Sequence, residues 1–229
     1  MGQSKDDTVK HSFKLNNGGI RDVYEISDLG INIDSTLKFS HHVAKLSAKG
    51  HQMANLFLKS FRSRDTTSLL RAFITYVRPR LEYCSMIWNP TLIKNIEALE
   101  KVQRRFTKRI PLMDKLTYCQ RLSSLQLESL ELRRVRLDLI FIYKLVFGLV
   151  DLNSSDFFQL RTDINTRGHQ YKLYLPACST SIRHNFFVHS AAKIWNILPP
   201  DSIDFSTLNS FKNSLSSRLL ARFCKVYFS

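Results

Sequence analysis

Asp6–Asp7 is an adjacent pair of carboxylates, a residue type that holds divalent metals. A two-metal centre for phosphoryl transfer needs such a pair on a tight hairpin between apolar strands, with a further carboxylate from another strand. Here the flanking residues are Ser4, Lys5, Thr8 and Lys10, which are polar or charged. We therefore predict that this pair is not a catalytic site.

The histidines and cysteines lack the spacing of a metal site. His41, His42 and His51 fall on one predicted helix with no Cys or acid at ligand spacing beside them. The 4 cysteines stand far apart and form no CxxC motif, which is typical of reduced packing residues in an intracellular protein. A Cys–His nucleophilic pair that meets only in the fold stays open. Because no Walker, Rossmann or nucleophile-elbow motif is present either, the sequence predicts no catalytic residue, no metal and no cofactor.

Positive charge is concentrated in the middle of the chain. The 229 residues contain 34 Lys and Arg against 19 Asp and Glu, a formal net charge of +15. Residues 41–150 carry +12 of this, whereas residues 1–40 carry −1 and residues 151–229 carry +4. Several helices with unneutralised basic faces could line a groove for a phosphate backbone, where release of counterions drives binding. The predicted nucleic-acid-binding residues are Lys45, Lys49, Lys59, Arg62, Arg64, Arg78, Arg80, Lys94, Lys101, Arg104, Arg105, Lys108, Arg109, Arg133 and Arg134.

The predicted helix over 92–110 has two distinct faces. At about 100° per residue, one arc is apolar and the opposite arc is basic. The apolar arc contains Leu92, Ile96, Leu99, Val102, Phe106 and Ile110, and the basic arc contains Lys94, Lys101, Arg104, Arg105, Lys108 and Arg109. Glu97 and Glu100 are each expected to pair with a basic residue four positions later. The alternative interpretation of the basic arc is an ordinary solvated helix face.

The elements that must position these side chains are mostly helices. Residues 1–40 predict short strands, because apolar residues alternate on both sides of a turn cluster at Asn16–Gly19. Beyond Ser40, an expected cap, the apolar period becomes helical. Helices are predicted to follow Ser40 and Asp65, to cover 92–110 and about 129–148, and to follow Thr207, with Pro79 breaking or kinking the second. The run over 139–150 is too short and too charged to span a membrane, which needs about 20 apolar residues.

Six short strings occur in a fixed order along the chain. They are DLGINIDSTLKFS (28–40), FRSR (61–64), YVRPRLEY (76–83), WNP (88–90), IEALEKVQRRFTK (96–108) and WNILP (195–199). Together they resemble the C-terminal part of reverse transcriptases from non-LTR (LINE-type, jockey-like) retrotransposons. The resemblance covers nearly the whole chain, and its most specific part is the third string followed by the fifth.

The resemblance implies a mainly α fold in three parts. Residues 1–40 would be a remnant of palm-end β-strands, forming a short N-terminal β-hairpin sheet. Residues 41–150 would be a helical thumb-like bundle, which grips the template–primer duplex in that family. Residues 151–229 would be a smaller helical C-terminal extension, with a linker at about 151–185. The family's catalytic carboxylate turn should lie upstream of Met1, so the chain resembles a truncated copy that would not polymerise by itself.

The expected function is therefore binding rather than catalysis. The expected partners are RNA or an RNA/DNA hybrid, bound through phosphates, and the missing palm and fingers of a full-length polymerase, with no membrane partner. The alternative is a helical interaction domain that docks on a missing palm and uses its basic faces only for solubility. Salt dependence distinguishes the two hypotheses, because phosphate binding must weaken steeply as salt rises. The sequence predicts an intracellular location without distinguishing nucleus from cytoplasm.

Overall fold

A computed structural model describes residues 14–15, 18–19, 23–61, 65–161 and 168–226. This part of the chain is mainly helical behind short N-terminal hairpins, which confirms the predicted fold class. Asp6–Asp7, Arg62 and Arg64 lie outside the described residues, so their predicted roles are not addressed by the fold.

Two antiparallel hairpins precede the helices. Strand β1 (Lys14–Leu15) pairs with β2 (Gly18–Gly19), and β3 (Glu25–Asp28) pairs with β4 (Ile31–Asp34). The turn between β3 and β4 has two residues with positive φ, at Leu29 and Gly30, which is the geometry whose twist suits a two-residue hairpin.

Eleven α-helices are found in the described residues. They are α1 (Ser40–Ser60), α2 (Thr66–Ala72), α3 (Arg78–Glu82), α4 (Ser85–Trp88), α5 (Ile93–Lys108), α6 (Tyr118–Ser124), α7 (Leu130–Val146), α8 (Ser181–Asn185), α9 (Phe187–Ile197), α10 (Leu208–Ser214) and α11 (Ser217–Leu220). The predicted cap at Asp65 is confirmed, since its carboxylate accepts a hydrogen bond from the Ser68 N–H at 2.8 Å. The predicted cap at Ser40 is wrong, because Phe39 precedes the first helical residue in a left-handed conformation.

The helical path does not end at Pro79, where a break or kink was predicted, but continues to Glu82. A π-helical turn, Phe73–Val77, joins α2 directly to α3, and Pro79 lies in the first turn of α3. Because the preceding turn is helical, Pro79 removes one backbone hydrogen bond from a continuous helical path, and its ring meets the wider π-helical turn rather than a regular α-helical one. The Arg78 N–H donates five residues back to the Phe73 carbonyl. The helical path ends at Tyr83, and Cys84 has a positive φ of 50°.

Helices α1 and α5 pack in parallel around a glycine. Ser40 accepts a hydrogen bond from Asn95 at one end of the pair, and Asn55 accepts one from Arg109 at the other. Gly50 lies between these contacts, and a Cβ atom there would stand 2.8 Å from Leu81 Cδ2 and 3.3 Å from Val102 Cγ1. The absence of a side chain at Gly50 therefore permits the close approach of the two helices.

We expect Gly50→Val to destabilise the protein by about 1–3 kcal/mol, because the added atoms overpack a buried contact. Valine is a better helix former than glycine, so propensity alone would predict a gain. Ala48→Val, on the exposed side of the same helix, is the matched control and should cost at most about 0.7 kcal/mol. Urea unfolding of both variants measures the difference, and equal losses would contradict the close α1–α5 contact.

Helix α7 contributes to two apolar cores. Leu130, at its start, belongs to the core formed by α1, α2, α5 and α6, in which Phe73 stacks on Phe106 at 4.6 Å. Leu139 and Ile142 belong to the core formed with α9 and α10, where Trp195 is fully buried.

The predicted C-terminal region differs from the structure in detail. Phe158 and Leu173 are buried within the stretch that was expected to be a linker. Helices α8 and α9 are additional to the predicted ones, and the helix expected after Thr207 is divided into α10 and α11.

Candidate nucleic-acid interface

Four exposed basic residues form a straight line along α5. Lys94, Lys101, Arg105 and Lys108 are all exposed. At about 100° per residue they fall within an arc of about 60°, and at 1.5 Å per residue they extend over about 21 Å. We call these four residues the α5 stripe. A duplex carries one phosphate charge per about 1.7 Å of its axis, so the stripe is long enough to meet several phosphates.

The buried face of α5 fixes the orientation of the stripe. Leu99 and Val102 are fully buried, and Phe106 is 1% exposed. These residues belong to the predicted apolar arc, so the predicted division of this helix into two faces is confirmed except at Leu92, which precedes the helix and is 44% exposed. The helix spans Ile93–Lys108, within two residues of the predicted ends.

Helix α1 carries a second set of exposed basic residues, Lys45, Lys49 and Lys59. Lys45 Nζ lies 3.3 Å from the Glu25 carboxylate of β3, which partly offsets its charge. At the seam with α5, Arg109 Nη1 donates to Asn55 Oδ1 at 3.0 Å.

Most of the acids near these helices are turned inward or engaged by other basic residues, although Asp65 and Asp114 are exposed. Residues 41–150 contain 8 acidic residues. Glu100, Glu131 and Asp138 are buried, and Glu82 and Glu128 form ion pairs with Arg133 and Arg136. The exposed surface of residues 41–150 therefore carries fewer unpaired acids than the sequence count indicates.

Glu100 supports the start of α7 rather than balancing a basic neighbour at the surface. Glu100 is buried, with 3% of its surface exposed. The carboxylate accepts hydrogen bonds from the Tyr118 hydroxyl, from the Leu130 N–H at 3.1 Å and from the Glu131 N–H at 3.3 Å. Burial raises the pKa of Glu100, while these bonds and the attraction of Arg134 act in the opposite direction.

Arg134 requires a correction, because it was predicted to contact nucleic acid. It is only 1% exposed and lies among the carboxylates of Glu100, Glu131 and Asp138. A phosphate cannot reach this guanidinium without opening the core. Burial lowers the pKa of Arg134, and burial also raises the pKa of Asp138 to about 7.

Three more predicted site residues are engaged within the fold. Arg133 Nη2 donates to Glu82 at 3.0 Å, and the neighbouring Arg78 is half-buried. Arg104 is half-buried and lies over the Tyr118 ring, 4.8 Å from its centroid. Arg80, by contrast, is exposed. The structure thus keeps the α5 stripe, Arg109 and the α1 residues at the surface and withdraws the basic residues of α7.

Tyr118 and helix α6 were missed by the sequence interpretation. Tyr118 hydrogen-bonds Glu100, and it accepts a bond from Gln103 Nε2 at 3.0 Å. The signal that would have found α6 is its capping box: the Thr117 N–H donates to Gln120 Oε1, and the Gln120 N–H donates to Thr117 Oγ1.

Metal-binding clusters and membrane-spanning helices are other features that could define a function. Among the described residues, no group of three or more His, Cys, Asp or Glu side chains is arranged to hold a metal ion. None of the helices in this part of the chain is long and apolar enough to span a membrane.

Comparison with known proteins gives a distant similarity. The chain is 26% identical over 86 residues to an uncharacterized protein of Caenorhabditis elegans, covering 38% of this chain and 43% of that protein. The aligned part is thus less than half the length of that relative. No protein-family model matches the sequence, and no solved structure matches it.

Proposed function

We propose that the protein is a nucleic-acid-binding module, and that the α5 stripe contacts the phosphate backbone together with the exposed basic residues of α1, the helix that packs beside α5. The observation that supports this most is the alignment of Lys94, Lys101, Arg105 and Lys108 on one exposed face. Several acids of the same region are buried or paired elsewhere, and only the half-buried Glu97 lies on the same face of α5, so this face keeps most of its positive charge. Such a face favours phosphate without reading base edges.

The proposed context is the thumb and C-terminal region of a non-LTR retrotransposon reverse transcriptase. The six ordered strings support this proposal, with the string over 96–108 forming most of α5. In that context the partner would be RNA or an RNA/DNA hybrid, and the chain would contribute binding to a polymerase whose palm lies elsewhere.

Replacing all four residues of the α5 stripe with Gln tests the proposal. We expect the parent protein to bind an RNA/DNA hybrid of about 10–20 base pairs with little sequence preference. For the quadruple variant, the slope of log K against log salt should fall by about 0.7–0.9 for each phosphate interaction that is removed, or about 3 in all. Fluorescence anisotropy across a salt series measures both slopes, and thermal melting should be nearly unchanged because the four side chains are exposed.

The matched control removes the same charge from the C-terminal region. Arg161, Lys212, Arg218 and Arg222 are exposed residues of that region. Replacing these four with Gln should leave most of the salt slope intact. If both quadruple variants lose affinity equally, only net charge matters; if the parent binding is independent of salt, the interaction-domain alternative is favoured instead.

A further inference from the structure

A cavity of about 570 Å³ opens in the C-terminal region, away from the residues of the α5 stripe. Its walls come from the 155–159 segment, from the extended 174–178 segment and from α8 and α9. Aromatic side chains line it, namely Phe157, Phe158, Tyr174 and Phe186. Cys178 and His189 also line this cavity, so a nucleophile and a base face the same space.

The Cys178 thiol and the His189 imidazole are in hydrogen-bond contact. Their Sγ and Nδ1 atoms are 3.2 Å apart, whereas Sγ is 3.6 Å from the Pro176 carbonyl oxygen. Cys178 is half-buried, and His189 is 9% exposed. When Nδ1 carries no proton, the thiol can donate to it. This is the arrangement of a nucleophile beside its general base.

Basic groups surround the pair. The His184 ring lies 4.9 Å from the His189 ring, and Lys193 Nζ is 2.7 Å from His184 Nε2. Burial lowers the pKa of His189, and Lys193, His184 and Arg183 lower it further. The imidazole is therefore held neutral, which is the state in which Nδ1 can accept the proton of the thiol 3.2 Å away. Asp156, which also lines the cavity, offsets part of this charge.

We propose that Cys178 and His189 form a reactive thiol–imidazole pair, and that the cavity takes a small disulfide with an aromatic body and a carboxylate group. The aromatic walls would receive the body of the ligand. Arg183, which lines the cavity, would attract the carboxylate. This inference is independent of the proposed nucleic-acid binding.

The reaction is a thiol–disulfide exchange. Cys178 Sγ attacks one sulfur of the disulfide as its proton passes to His189 Nδ1. A new S–S bond forms to Cys178, and the S–S bond of the ligand breaks. The departing sulfur leaves as a thiolate, which is the reduced product, and the proton on His189 passes to it or to water. Cys178 is oxidised to a mixed disulfide, so atoms and electrons balance.

The experiment uses the full chain with a bis-nitrobenzoate disulfide, followed by mass spectrometry of each cysteine. Cys119 is exposed and serves as the internal reference, whereas burial raises the pKa of Cys224 to about 12. We expect Cys178 to be modified about tenfold faster than Cys119 at neutral pH. This measurement requires no mutation. Faster modification of Cys119 would overturn the proposal.

Two variants separate the base from the ligand-binding residue. His189→Gln should slow the modification of Cys178 about tenfold while leaving that of Cys119 unchanged. Arg183→Gln should slow the reaction with the carboxylated disulfide several-fold but leave that with neutral iodoacetamide within about twofold. If His189→Gln reacts at the parent rate, His189 is not the base; if Arg183→Gln slows both reagents alike, Arg183 does not select an anionic ligand.

Discussion

Glu100→Ala is expected to destabilise the protein by about 3–5 kcal/mol. The substitution removes the acceptor of the Tyr118 hydroxyl and of two N–H groups at the start of α7. It also leaves the buried Arg134 guanidinium with one carboxylate fewer around it. Donors that lose their acceptor inside the core cannot turn to water, so the destabilisation exceeds that of breaking an exposed ion pair.

Glu97→Ala provides the comparison on the same helix. Glu97 is half-buried rather than buried, and its removal should change stability by no more than about 0.5 kcal/mol. Glu100→Gln should fall between the two, because an amide oxygen keeps part of the acceptor capacity. Denaturant unfolding with a common m-value ranks the three variants. Equal stability of the two alanine variants would mean that Glu100 does not support α7.

Phe106→Ala is expected to cost about 3–5 kcal/mol through the cavity that it leaves in the core. The ring is 1% exposed and stacks on Phe73 with centroids 4.6 Å apart, so the substitution leaves a large space beside the Phe73 ring. The proposed nucleic-acid binding should be unchanged in the fraction that remains folded, because Phe106 lies on the opposite side of α5 from the α5 stripe.

Lys108→Ala is the matched control for Phe106→Ala, two residues further along α5. It should leave stability within about 0.5 kcal/mol, yet it should reduce the salt slope of binding by about 0.7–0.9. Thermal melting and salt-titrated anisotropy on both variants measure these opposite effects. An effect of Lys108→Ala on melting as large as that of Phe106→Ala would contradict the orientation of the helix.

Periodicity predicted α5 and its two faces because both are properties of a single helix. It could not assign Glu100, whose role depends on the start of α7, 30 residues away. The sequence offered a basic neighbour at the i,i+4 position as the simplest partner. The actual partners are the Tyr118 hydroxyl and two backbone N–H groups of α7, which come within reach of Glu100 only after α5, α6 and α7 have packed together.

Arg134 was misplaced for a related reason. Arg133, Arg134 and Arg136 are close in sequence, but successive helical residues are separated by about 100°. Arg134 therefore cannot share an exposed face with both Arg133 and Arg136. The core carboxylates Glu131 and Asp138 surround it instead. The charge of Arg134 alone predicted a surface residue, although helical geometry already places Arg134 on a different face of α7 from Arg133.

The shared position of α7 has a consequence for how the chain loses its structure. Leu130 belongs to one core, whereas Leu139 and Ile142 belong to the other. The Glu131 carboxylate also accepts hydrogen bonds from the Lys225 and Val226 N–H groups, which lie close to the end of the described chain. If one core melts, α7 loses part of its packing, and the other core depends on the same helix. Unfolding should therefore be cooperative across the predicted boundary at residue 150, with both cores unfolding as one unit.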